Sequence, residues 1–154
     1  MNIIEQIESH RFIYLIEISE PQDNVLRLVI SEAQARKTPE DMVIEGLTLT
    51  NTRELIADEA CAAYEVIFQN YVAYSVRNES FVTVDESEIC TGRLFQTYSH
   101  SRFLDYVRVA TFASDDFPGK LEHYGINCLN HIVDVVSVSK PIISIIRSVG
   151  QDLV

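Results

Sequence analysis

Tyr64-Glu65-Val66-Ile67-Phe68-Gln69-Asn70-Tyr71-Val72-Ala73-Tyr74-Ser75-Val76 is the stretch on which the fold turns. Its even positions are apolar or aromatic in six of seven cases, Asn70 being the exception, whereas the odd positions include Glu65, Gln69 and Ser75. Successive side chains of a strand point to opposite faces, so a period of two held over these thirteen residues predicts one long, half-buried strand, bulged near Asn70. A hairpin turning at Gln69-Asn70 is the competing reading. It would put Phe68 on a face with Tyr71 and mix the two sets of side chains.

Working outward, the segments on both sides also read as extended. Phe12, Tyr14, Ile16 and Ile18 alternate along one run, and Val25 to Ile30 forms another after Glu20-Pro21-Gln22-Asp23, which predicts a hairpin. Ala33 to Asp41 reads as a loop, Gly46 to Thr50 as a short Thr-rich strand, and Asn78 to Glu88 as an exposed acidic connection. Arg93 to Tyr98 is another strand. Behind Ser101 the period changes, because Phe103, Leu104, Val107, Ala110 and Thr111 fall at helical spacing after a residue suited to capping free N–H groups. After the turn Asp115-Asp116-Phe117-Pro118-Gly119, Leu121 to Val138 is extended with a break near Leu129-Asn130, and Ile142 to Ile146 forms a last strand. The fold expected is mainly β: an antiparallel β-sandwich or barrel-like sheet of about seven strands, with one or two short helices, one of them at about 101–112. One domain covers 1–154.

Composition narrows the function classes. Of the 154 residues 47% are apolar, which excludes a disordered chain, and no apolar run is long enough to span a bilayer. Met1 to Arg11 has neither the basic start nor the apolar centre of a secretory signal, so a cytoplasmic location is expected. Cys61, Cys90 and Cys128 form no Cys-x-x-Cys pair, which fits free thiols in a reducing compartment and no zinc site. The net charge is −11, and all of it lies in the first 92 residues, with 17 Asp/Glu against 6 Lys/Arg there and 6 against 6 beyond. So acidic a chain does not neutralise phosphates, which argues against nucleic acid and anionic membranes and for a basic protein partner.

Several residues invite a chemical reading. His123 and His131 share a parity and would lie close together if the chain reversed around Asn127, but two imidazoles are too few for zinc, and a place at a sheet rim is the simpler use. Asp134, between Ile132-Val133 and Val135-Val136, must be paired if buried, either as a structural acceptor or as a general base. Ser99-His100-Ser101 is no activated pair, since adjacent side chains point apart, and Ser101 reads as a helix cap. Asp58 and Glu59 next to Cys61 raise a thiol pKa rather than lower it. Asp115-Asp116 and Asp85-Glu86-Ser87-Glu88 lack the spacing of a calcium loop, and Tyr71 and Tyr74 should be one surface and one core aromatic. No catalytic residue, cofactor or metal is assigned.

Three stretches together carry a resemblance: Tyr71 to Ser80, Ser101 to Val107, and His123 to Asn127 continuing through Asp134 to Ser137. They resemble a family of small, uncharacterised bacterial cytoplasmic proteins, a likeness that spans about half the chain and transfers no active site. Small acidic proteins of that type include immunity partners of toxins. The first expectation is therefore a non-catalytic acidic protein that binds a macromolecule, such as a toxin-immunity inhibitor of a basic partner, through Asp58, Glu59, Glu79, Asp85, Glu86 and Glu88. Two alternatives are a small-molecule-binding β-barrel or enzyme using His123, His131 or Asp134, and a module that self-associates as a homodimer through the edge strand Ile142–Ile146.

Overall fold

The computed structural model describes residues 1–148, and in it the chain forms twelve strands and two α-helices. In chain order these are α1 (Ile3–Ser9), β1 (Phe12–Gln22), β2 (Val25–Ala35), β3 (Glu40–Ile44), β4 (Leu47–Thr52), β5 (Leu55–Ile56), β6 (Ala63–Gln69), β7 (Tyr71–Asn78), β8 (Ile89–Thr91), β9 (Phe95–His100), α2 (Arg102–Ala110), β10 (Glu122–Asn127), β11 (His131–Ser137) and β12 (Ile142–Arg147). Two antiparallel sheets carry the body. The first has the order β1-β2-β6-β12, with β5 paired to the end of β2, and the second the order β7-β11-β10-β9-β8. Neither closes into a barrel, so the mainly β, sandwich-like expectation holds. The strands exceed seven because short ones such as β3, β5 and β8 carry little period-two signal.

The core lies between the sheets. Ile13, Leu15, Leu26, Leu28, Ile30, Tyr64, Val66 and Phe68 from the first meet Phe95, Tyr124, Ile126, Val133 and Val135 from the second. On the other face of the second sheet α2 buries Leu104 and Val107 against Leu121 and Val136. No helix among the described residues is long and apolar enough to cross a membrane.

The stretch from Tyr64 to Val76 is neither one strand nor a hairpin. Asn70 sits at φ +55°, and there the chain leaves the first sheet as β6 and enters the second as β7. Asn is among the few residues that adopt the left-handed region at low cost. Tyr64, Val66 and Phe68 before this corner and Tyr74 after it all pack toward the same core. Parity breaks just after the corner, where Tyr71 faces this core and Val72 packs on the opposite side, and the irregular register at Val72 returns the core to an even position at Tyr74, which is why the sequence reads as uninterrupted. A register shift between Val136 and Ser137 opposite Ala73 and Tyr71 also brings Tyr71 toward the core, where it meets Tyr74 edge-on at 5.0 Å, so the two tyrosines are not split between surface and core.

Other boundaries move as well. The segment read as a loop from Ala33 begins as strand, because β2 runs to Ala35 with Ala33 buried. Helix α1 had no sequence forecast. It is seven residues long, buries only Ile7, and starts with a capping box in which Asn2 and Glu5 exchange hydrogen bonds. The N-terminal hairpin, the helix capped by Ser101 and the break between β10 and β11 stand as read.

The corner makes a direct prediction. Asn70→Val places a β-branched residue at a positive φ and should lose about 1–2 kcal/mol of stability, whereas Asn70→Gly should stay within a few tenths of wild type. Urea unfolding of the two variants checks this.

Candidate functional site

The outward face of the second sheet carries a buried polar row. With Gly125 opposite Asp134 and His123 opposite Val136, the side chains of His123 and Asp134 are diagonal neighbours on one face. His123 Nε2 lies 2.9 Å from one carboxylate oxygen of Asp134, and Arg77 donates to the other at 2.9 Å. At the far side of the ring, Ser101 Oγ is 2.6 Å from His123 Nδ1. The same Oγ accepts the backbone N–H of Leu104 at 3.0 Å as the cap of α2. Asp134 as a carboxylate only accepts, so Nε2 carries a proton toward it, and in the neutral ring Nδ1 is then the acceptor of the Ser101 hydroxyl. Tyr98 stacks on the imidazole at 4.2 Å and Phe103 meets it edge-on at 5.4 Å.

The row contains Ser, His and Asp but is not built for hydrolysis. Ser101 is 0% exposed, and both its donor and its acceptor functions are taken up, so no substrate reaches it. The ring is also reversed relative to a hydrolytic triad, with Nδ1 toward the serine and Nε2 toward the carboxylate. The row pins α2 to β10, β11 and β7.

His131 takes no part. The chain reverses between Asn127 and His131, not around Asn127, and Asn127 faces Ile132. His123 therefore opposes Val136, and His131 sits at the other end of β11 opposite Asn78, its Nδ1 buried with no partner. No group of three or more His, Cys, Asp or Glu among the described residues could hold a metal ion. Cys61 is buried, and burial first, then the charges of Asp58 and Glu32, push its thiol pKa up.

Where the polar row reaches the surface, the connection Glu79–Glu88 forms one wall of two neighbouring clefts. The larger, of about 500 Å³, runs past Glu88, Tyr98 and Asn127 toward Ile132, and the smaller, of about 420 Å³, lies over Ser75, Phe103 and Asp134. Arg77, Thr83, Asp85 and Glu88 border both. Asp85 anchors this wall. It accepts from the backbone and hydroxyl of Ser87 and pairs with Arg102, and these bonds hold its pKa down at about 2. Tyr98 is raised to about 12, chiefly by burial.

The six acidic residues singled out in the sequence fall into two groups. Glu79, Asp85, Glu86 and Glu88 belong to this connection, where Asp85 is committed to Arg102 and Glu88 faces the clefts. Asp58 and Glu59 lie between β5 and β6 on the first sheet, where Arg147 of β12 donates to the carbonyl of Asp58.

A second surface was not expected from the sequence, although its strand β4 was, as Gly46 to Thr50. Strands β3 and β4 pair only with each other, as a two-stranded arm that continues from the β2–β5 end of the first sheet. Met42 opposes Leu49 and Ile44 opposes Leu47, so these four side chains share one face, and they are 40–64% exposed. From residue 40 to residue 59 the chain carries Glu40, Asp41, Glu45, Glu54, Asp58 and Glu59 against Arg53 alone. The sequence signal was present in Glu40-Asp41-Met42-Val43-Ile44-Glu45-Gly46, where Gly46 at φ +82° and Glu45 at φ +49° make the turn. The signal for the row of His123 was Gly125 inside a strand. A Cβ there would come within 2.9 Å of the Tyr98 ring, the close approach that a strand glycine marks.

Family models, curated proteins and solved structures give no match to this chain.

Two outcomes follow from the site. Asp134→Ala should cost about 3–5 kcal/mol in denaturant unfolding, because it strips partners from His123 and Arg77, and Asp134→Asn should cost less, since the amide oxygen still accepts from Nε2. The folded-state pKa of Asp85 is depressed, so the bond to Arg102 is fully present above the unfolded value and is lost as the pH falls toward about 2. Amide protection in residues 79–88, taken relative to the intrinsic exchange rate at each pH, should fall over that window in wild type and be low already at pH 5 in Asp85→Asn.

Proposed function

We propose that the protein is a non-catalytic binding protein whose acidic, apolar-faced arm docks on a basic protein partner. The observation that carries this reading is the face of Met42, Ile44, Leu47 and Leu49, which no part of the chain covers among the described residues. A lone two-stranded ribbon is marginal in water and gains from a surface that buries its apolar side. Charge selects the partner. A second copy would bring −11 against −11, whereas a cationic rim around an apolar groove would meet Asp41, Glu45, Asp58 and Glu59. Glu40 and Glu54 matter less because both are paired with Arg36. The buried, mutually satisfied row of Ser101, His123 and Asp134 supports the non-catalytic part of the reading.

An inhibitor of a basic enzyme, as in a toxin-immunity pair, is the form this function takes in our reading. Carboxylates at the base of the arm would steer the encounter, raising the association rate by about one to three orders of magnitude at low salt.

The test is comparative capture. Wild type and the double variant Ile44→Ser, Leu47→Ser, immobilised separately, are exposed to lysate at low and high salt, and retained proteins are identified by mass. The expected outcome is a protein of high isoelectric point, lost by at least tenfold from the variant and released by salt, with the variant's own unfolding midpoint unchanged. Equal retention by both proteins, or retention insensitive to salt, would sink the proposal.

A further inference from the structure

The larger cleft has a chemistry that the arm does not use. Its cations are all held, whereas two of its carboxylates, Glu79 and Glu88, enter no hydrogen bond or ion pair among the described residues. Arg77 is held by Asp134 and Arg102 by Asp85, while the Arg93 guanidinium donates to the carbonyls of Glu8, His10 and Arg11. Of the two open carboxylates, Glu79 borders only the larger cavity and is exposed, whereas Glu88 borders both cavities and is half-buried. Burial first, then the neighbouring Asp85, push its pKa up. A carboxylate in that position opposes folding when ionised, so the fold gains nothing from it.

Further acceptors line the same cavity. The Asn127 amide nitrogen is used on the carbonyl of Arg93 at 2.7 Å, which leaves its oxygen open, and Gln96 Oε1 takes one bond from the Tyr98 hydroxyl at 2.8 Å and has room for a second. Leu94 and Ile132 supply an apolar wall. A space of about 500 Å³ lies in the range of small-molecule sites. An unpaired carboxylate, open amide oxygens and an apolar wall are complementary to a cation that carries N–H donors on a small apolar body.

We infer that this cleft binds a small primary ammonium compound with an apolar body, its ammonium group donating to Glu88. The carboxylate supplies the charge and one acceptor, Asn127 and Gln96 lie ready to accept the remaining protons, and the body rests toward Ile132. The site is separate from the arm.

Calorimetric titration with phenethylammonium, its anionic counterpart phenylpropanoate and N-acetyl-lysine methylamide tests the assignment. Phenethylammonium should bind wild type and phenylpropanoate should not. Glu88→Gln should weaken phenethylammonium at least tenfold, the loss of a charge-assisted bond, while Asp116→Asn leaves it unchanged. Glu88→Gln should also raise the unfolding temperature at pH 7 more than at pH 4, which shows that the variant is folded and its loss of binding local. Ile44→Ser with Leu47→Ser should bind the amine as wild type does, so failure of the arm proposal and failure of this one are distinguishable. Absence of phenethylammonium binding at about 10 mM, equal binding of the anion, or full binding by Glu88→Gln would overturn the inference. Tighter binding of the lysine amide than of phenethylammonium would overturn the small-molecule source in favour of a protein side chain.

Discussion

A single residue in the left-handed region, Asn70, decides how this chain is shared between two sheets. Without a corner there, β6 and β7 would form one strand, and the sandwich would have no direct link between its layers at that edge. With it, Phe68 and Tyr74 press on the core from opposite sheets. The layers are then tied at the other end by side chains that reach backbone. Asn130, in the turn between β10 and β11, bonds both the N–H and the carbonyl of Leu15 at 3.0 Å, and Glu8 accepts the backbone N–H groups of Arg93, Leu94 and Phe95. Leu15 lies inside the edge strand β1 and residues 93–95 at the start of β9, and these bonds give partners to backbone groups there.

The outer face of the second sheet shows how a set of reactive residue types becomes structure. Ser101, His123, Asp134 and Arg77 form one chain of hydrogen bonds, and every buried donor and acceptor in it has a partner. Low surrounding dielectric strengthens such a chain and makes any break in it costly. Its function is to fix α2 and, with Arg77 and Arg102 at its margin, to shape the clefts beside the Glu79–Glu88 connection. Glu88 stays open within this frame, a half-buried carboxylate beside the paired Arg77, Asp85 and Arg102.

Charge and apolar exposure converge on the arm rather than on the acidic connection. The carboxylates of the connection are partly consumed internally, Asp85 by Arg102 above all. Those along residues 40–59 lie in the segment that carries the apolar face and include Asp41, Glu45 and Glu59, which enter no ion pair among the described residues. In the function we propose, the apolar centre of such a surface provides affinity and its charges select the partner's sign.

The sequence by itself determined the class of fold, the extended segments, the helix behind Ser101 and the sign of the surface. Each follows from local periodicity, capping chemistry or composition, none of which needs distant contacts. Only the tertiary structure decided that Tyr64 to Val76 serves two sheets, because the corner at Asn70 and the bulge at Val72 offset each other and Tyr74 falls back on the even positions of a period-two pattern. Tertiary structure likewise decided the partners of His123. The pairing of β10 with β11 was legible, but its register depends on where the turn falls between Asn127 and His131, and a shift of a few residues exchanges Val136 for His131 opposite it. The arm was hidden for a third reason. Met42, Ile44, Leu47 and Leu49 look like core residues in a sequence, and only their exposure among the described residues, outside both sheets, makes them a surface.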